Sequence, residues 1–430
     1  MLAIARVTKA YRNDFLRLRR LTFAFAAGAF MLSFFHRVAP SAVAAELSTS
    51  FATSATGLGS LAAAYFYIYL VMQVPAGILA DTWGPRRMFV AGCLVSGCGS
   101  ALFGLAPSFG FAFCGRFLVG LGVSVIFVAA LKLIAAWYDV RQFGTMSGWL
   151  MFLAQCGGLL ATAPLAAAAS IVGWRTVFVA AGVLAICVAL GCWWLVADRP
   201  ADRGFVHHDG GGAAAQPWRA GLASVLRNRH TWPACVMAMG VTGSMMSFVG
   251  LWSVPFFEQT LGLGRAAATS HVSVLLACAA IGAVLAGRAS DHLHVRLTPM
   301  RVLITAYCLT WVPWVLGVVP PPPWSFGSVA LMGLCMGATP LGWAYAKEVN
   351  PPAFAGIATS VVNVGPFVGA AILQPGVGAI LDFGSARGWS SAVTWQVACA
   401  ALFGFALLGL LCTLLMRETG CRNVYASDPA

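Results

Sequence analysis

Residues 77–87, GILADTWGPRR, end one long apolar run, and residues 287–296, GRASDHLHVR, end another. Gly77 and Asp81 of the first align with Gly287 and Asp291 of the second, at an offset of 210. A second landmark agrees. Gly144 and Gly157 align with Gly356 and Gly369, at an offset of 212. Two independent landmarks within two residues of each other mark an internal duplication. The duplicated unit is long enough to be a domain in its own right.

What that unit is made of follows from composition. Of 430 residues, 60% are hydrophobic and 9% are charged, and the mean hydropathy is +0.83. A soluble domain carries about 25% charged residues, so this chain cannot cover a water-exposed surface and reads as an integral membrane protein. A spanning helix needs about 20 apolar residues. Runs of that kind fall at 21–44, 57–80, 88–107, 111–136, 144–168, 173–196, 231–256, 268–290, 301–320, 324–346, 355–380 and 393–416. The expected architecture is therefore all-α, with twelve transmembrane helices in two pseudo-symmetric six-helix bundles. The bundles occupy 21–197 and 231–416, between a segment 1–20, a polar linker 198–230 and a tail 417–430. Six spans per unit preserve topology, so both copies enter the membrane in the same sense.

Charge placement sets the orientation. Twenty-one of the 26 Lys and Arg residues fall on one side if both termini are cytoplasmic. Arg175, Arg265 and Arg387 fall on the other side, and Arg37 and Arg116 lie inside spans. The net charge of +13 is then positive-inside bias, with no nucleic-acid partner implied. The apolar run after the basic first residues is longer than a signal-peptide core, with no clear cleavage site, so a retained N-terminus is expected. The 13 cysteines lie mostly in apolar runs and read as small buried hydrophobes. No metal site or cofactor is expected; His207, His208 and Asp209 in the linker read as a solvated loop.

The twelve runs, the central linker and the first loop stretch resemble the major facilitator superfamily over nearly the whole chain. The family's loop pattern is matched at Gly77, Asp81, Gly84, Arg86 and Arg87, and "GRFLVGLGVS" matches its arginine and glycines early in the fourth helix at Arg116, Gly120 and Gly122. The stretches "YFYIYLVMQVPAGILADTWGPRR", "EVNPPAFAGIATSVVN" and "ILQPGVGAILD" are similar to a bacterial branch of nutrient permeases. That branch includes phagosomal amino-acid transporters and resembles a lysosomal dipeptide carrier. The resemblance implies a substrate site between the halves and gives Asp81 the role of a latch on the cytoplasmic side, with Asp291 its repeat counterpart.

Polar groups inside spans are functional candidates. The stretch "FFHRVAP" places His36 and Arg37 beside Pro40. Arg37 lies roughly 24 Å into its span at 1.5 Å per residue, and Arg116 sits at similar depth in the fourth span. Tyr65 and Tyr69 are four apart and share a helical face. Gln155, Asn363 and Gln374 are the uncharged polar candidates of the fifth and eleventh spans. His36, which titrates near pH 6.5 when unperturbed, is the internal proton-binding candidate, because no Asp or Glu lies at the middle of any span.

These residues point to a monomeric, multi-pass bacterial inner-membrane carrier. It would import a small anionic or zwitterionic solute (amino acid, peptide or carboxylate) by alternating access, with protons as coupling ion. An exporter of drugs or of a metabolite such as a siderophore is the alternative on the same fold, although the fifth helix lacks the glycine–proline pair of drug antiporters. A non-transporting membrane sensor is the alternative from another class. No paired catalytic groups support an enzyme, and no P-loop supports an ATP-driven pump.

Overall fold

The computed structural model describes residues 2–205, 218–318, 321 and 324–425, and every regular element among them is helical. Nine helices among the described residues are each long and apolar enough to cross a bilayer, and up to eleven if each bent pair counts as one span. They include Asn13–Ala42, Pro85–Gly104, Phe109–Trp137, Trp174–Leu195, Thr231–Leu261, Arg265–Leu293, Trp324–Glu348, Pro352–Ala386 and Ser391–Leu415. The second expected run is two helices, Ala55–Val71 and Gln73–Thr82, joined at Met72. The fifth is Val140–Leu160 followed by Ala163–Val172, with a 43° bend between Thr145–Leu160 and the second piece. The ninth is Leu297–Val315, 19 residues that include Arg301, Pro299 and Pro313; these make it less apolar than its neighbours.

The described chain forms two compact units. One comprises Met1–Arg37, Val71–Gly158 and Val172–Ala213; the other comprises Val38–Leu70, Leu159–Ile171 and Ala214–Ala430. Within the first, the third span packs on the fourth and sixth, and Gln73–Thr82 packs on the fourth. Within the second, the ninth span packs on the tenth and twelfth, and the eighth on the tenth. These are the same pairings six spans later, as a duplication requires.

The repeat extends to single atoms. A methyl group at Gly157 would lie 2.0 Å from the Met31 carbonyl oxygen, and one at Gly369 would lie 2.2 Å from that of Met239. Each glycine lets the fifth or eleventh span touch the backbone of the first or seventh. The aligned loop positions share a positive φ, with ψ 150° at Gly84 and 33° at His294. Gly84 has φ +83°, and His294, 210 residues later, has φ 54°. The left-handed region accepts glycine freely and histidine more readily than most residues.

A third correspondence was not visible in the sequence. The Asp198 carboxylate, just past the sixth span, accepts the backbone N–H of Arg86 at 2.6 Å. Glu418, just past the twelfth, accepts those of Arg296 and Leu297 at 2.7 and 2.8 Å. Each carboxylate caps the first turn of the third or ninth span, where unpaired N–H groups and the helix dipole favour negative charge.

Candidate functional site

The first span explains its own arginine neighbourhood. Pro40 lies inside a continuous helix, Leu2–Ala42. Proline has no N–H, so the carbonyl four residues earlier loses its helical partner. That carbonyl belongs to His36. It accepts a hydrogen bond from Arg116 Nη1 at 2.6 Å, and Arg116 is 2% exposed. In an apolar surrounding an unsatisfied carbonyl is costly, and the guanidinium supplies the missing donor. Arg116 therefore has a structural use: it ties the fourth span to the proline-weakened turn of the first.

Arg37 differs. It is half-buried, and its guanidinium carbon sits 4.5 Å from the centre of the Phe34 ring. Residues 15–45 and 82–138 contain no Asp or Glu, so no carboxylate lies near either arginine along its own helix. The His36 ring is buried against Phe35 and Phe178, and neither ring nitrogen has a hydrogen-bond partner among the described residues. Gln155, in the same unit, is half-buried.

Tyr65, Tyr69, Asn363 and Gln374 lie in the other unit. Tyr65 stacks on Tyr69 at 5.9 Å, and Tyr69 stacks on Phe367 at 4.2 Å. Both tyrosines are buried, so in this structure they form an aromatic column between the second and eleventh spans. Pro375 frees the Ala371 carbonyl, as Pro40 frees that of His36, and Tyr67 Oη donates to it at 3.1 Å. Gln374 is 1% exposed, and neither atom of its amide has a partner among the described residues. Its backbone is fixed from two sides. The Trp252 indole N–H donates to the Gln374 carbonyl at 3.0 Å, and a methyl at Gly59 would lie 2.4 Å from the same oxygen. Trp252 ends a π-helical turn, Phe248–Trp252, just ahead of Pro255. Such turns are rare and recur at functional sites. Asn363 is half-buried on the same helix.

The surroundings of Gly77 and the side chain of Asp81 lie outside what is described, as do His207, His208 and Asp209. Of the remaining loop motif, Arg86 is a structural tie: its guanidinium donates to the Trp193 carbonyl and lies 4.9 Å from the Trp193 ring centre. Arg87 is exposed. In the repeat, Arg296 joins the Asp291 carboxylate at 2.7 Å to that of Glu348 at 2.9 Å. Thr419 Oγ1 donates to the second Glu348 oxygen at 2.5 Å, and Val424 N–H donates to the Glu348 carbonyl at 2.7 Å. Asp291 thus belongs to a closed network that the segment after the twelfth span completes. Glu418, at its centre, also accepts the N–H groups of Thr419 and Gly420 at 3.0 and 3.1 Å. Burial alone would raise its pKa, but these backbone donors outweigh it and hold the carboxyl below the ordinary range.

All 13 cysteines are free, and Cys98, Cys114 and Cys187 are exposed on helix faces, where the expectation was burial. No group of three or more potential metal ligands occurs among the described residues.

Comparisons with known proteins agree with this geometry. The membrane sensor protein UhpC of Salmonella typhimurium is 27% identical over 423 residues, 91% of each chain. The probable galactarate/D-glucarate transporter GarP of Escherichia coli K12 is 26% identical over 365 residues, 74% of this chain and 78% of that one. The fold is similar to that of a bacterial homolog to the human lysosomal transporter Spinster, whose structure was solved in its inward-facing and unoccupied conformation. The TM-score is 0.79 at 17% identity, over 96% of this chain and 99% of that one. The Major Facilitator Superfamily profile matches residues 25–374. With that match, the repeated helix pairings and the multi-pass membrane architecture, the chain belongs to the Major Facilitator Superfamily of transporters.

Proposed function

We propose that this chain is a secondary carrier that takes up a small hydroxylated organic anion, a carboxylate of the sugar-acid kind, by alternating access. The observation that carries this reading is Arg37: a guanidinium half-buried in an apolar span, in a stretch, 15–45, that holds no Asp or Glu. An arginine costs roughly 2.5–3.5 kcal/mol at the centre of a span on insertion scales, and less at the depth of Arg37. A negatively charged solute offsets that cost and matches the planar fork of donors. Gln155, half-buried in the same unit, is the further candidate contact. The likeness to a probable galactarate/D-glucarate transporter supports the same solute class. His36 is the candidate carrier of a coupling proton, and replacing it with Gln should flatten the pH dependence of uptake.

The test is counterflow in proteoliposomes, with labelled galactarate and glucarate set against amino acids and dipeptides. Exchange of the sugar acids with wild-type protein supports the reading, and exchange of amino acids or dipeptides alone overturns it. A second reading, a ligand-sensing protein, is favoured by the full-length likeness to a membrane sensor. It predicts thermal stabilisation by the solute with no counterflow.

A further inference from the structure

The polar linker ends in a helix, Trp218–Arg227, and three residues later the seventh span begins at Thr231. Within the second compact unit this helix packs on the eleventh span, the start of the seventh and the turn Pro352–Phe354. Val225 is fully buried, and a methyl at Gly221 would lie 2.6 Å from the Phe354 ring and 2.7 Å from Ile357. The last turn is tied down as well. The Trp232 indole N–H donates to the Leu226 carbonyl at 2.9 Å, which satisfies one of the open carbonyls of the helix end. The Asn228 amide donates to the Val349 carbonyl at 2.7 Å and to Asn350 Oδ1 at 3.0 Å. Its own oxygen accepts the His230 N–H at 3.0 Å.

The opposite face points outward. Arg219, Ala223, Leu226 and Arg227 are exposed at a spacing that puts them on one side of the helix. Arg229 is exposed just beyond, and Trp232 is 47% exposed although it is the second residue of a membrane span. An indole at that position sits among the lipid headgroups, which sets Arg227 and Arg229 at the level of the phosphates. The charge is one-sided. Residues 210–257 contain no Asp or Glu, and neither do 351–381, which take in the turn and most of the eleventh span beneath the helix. Glu348, beside Val349, is already held by Arg296 at 2.9 Å and by the Thr419 hydroxyl.

We propose that this face of the linker helix binds anionic phospholipid. The phosphates lie against Arg227 and Arg229, with Arg219 two turns back, and Leu226 and the Trp232 ring meet the glycerol and the upper acyl chains. Charge complementarity selects an anionic lipid over a zwitterionic one. Leucine and indole beside the arginines suit an interfacial lipid rather than a soluble anion. Each arginine near an anionic surface contributes about fivefold in affinity, so three give roughly 100-fold, and salt weakens the effect. The headgroups pin the linker helix to the membrane surface where the seventh span begins, so the anionic lipid content decides how firmly the linker is held.

Hydrogen–deuterium exchange on the full chain in nanodiscs tests this without a known solute. Phosphatidylcholine alone is set against equal parts phosphatidylcholine and phosphatidylglycerol. Amides of residues 292–297, in the loop between the eighth and ninth spans at the same membrane surface, correct for the lower surface pH of the anionic bilayer. Relative to them, exchange over residues 219–229 should slow about tenfold or more in the anionic nanodiscs, and high salt should shrink the difference. Arg227→Gln with Arg229→Gln should remove most of the slowing while exchanging like wild type in phosphatidylcholine, where the helix is still formed. Arg387→Gln, exposed at the opposite surface, should leave the slowing intact. Equal exchange by wild type in the two lipids, or a full lipid effect in the double variant, would overturn the proposal. So would the same slowing in phosphatidylcholine on adding inorganic phosphate, which would make the site one for a soluble anion.

Discussion

The tie between Arg116 and His36 yields the sharpest test of the folding logic. Arg116→Met keeps most of the side-chain volume and removes the donor from the His36 carbonyl, which it meets at 2.6 Å. Two effects then oppose each other. Losing a hydrogen bond to a charged donor costs about 1.5–3 kcal/mol, whereas removing a buried arginine recovers up to roughly 2.5–3.5 kcal/mol of insertion cost. The single variant is therefore a poor test, because these nearly cancel. Pairing it with Pro40→Ala separates them. Alanine at position 40 restores an N–H four residues after His36, so the carbonyl no longer needs Arg116. The insertion term is the same in both backgrounds and drops out of the cycle. The expected result is that Arg116→Met costs about 1–2 kcal/mol less in the Pro40→Ala background than in wild type. Unfolding by SDS titration, followed by tryptophan fluorescence, measures it. Equal costs in the two backgrounds would refute the claim that Arg116 answers a proline-freed carbonyl.

Three further outcomes are expected. The Glu418 carboxyl is held below its ordinary range, so its contribution is fully present above the unfolded value of about 4.3 and is lost as pH falls through the lower native value. Exchange of the amides of Arg296 and Leu297, corrected for intrinsic rate, should be flat from neutral pH down to that region and rise only below it; Glu418→Gln should be fast at neutral pH already. Gly157→Ala and Gly369→Ala each push a methyl into a carbonyl at 2.0 or 2.2 Å and should lower stability by about 1–3 kcal/mol in thermal melts. Gly148→Ala, with nothing within 4 Å, should be neutral or stabilise by roughly 0.5–1 kcal/mol.

Much of the fold was legible because a bilayer punishes ambiguity: length and apolarity leave few alternatives. The repeat was legible from Gly77, Asp81, Gly144 and Gly157 because turns and close helix contacts tolerate few other residues. Other features were not. Asp198 and Glu418 look like ordinary loop charges, and only the turn of the chain brings them onto the third and ninth spans. Glu46 and its partner Arg265 are 219 positions apart, beyond the reach of local pattern. The proline signal was present but unused: counting back four residues from Pro40 and Pro375 names His36 and Ala371, the carbonyls that Arg116 and Tyr67 satisfy. Arg37 stood out in the sequence for the cost of its charge. Arg116 stood out equally, and it took the structure to join it to the freed His36 carbonyl, 80 positions away.

The most direct measurement of the proposed function is counterflow of labelled glucarate into proteoliposomes holding wild-type, Arg37→Lys or Arg37→Ala protein, each checked for normal folding by its melt. Rapid exchange by wild type is expected, with exchange by Arg37→Lys lower by about 10- to 100-fold for loss of a bidentate charged contact and almost none by Arg37→Ala. Exchange by all three proteins at the same rate would contradict the assignment of Arg37 to the anion.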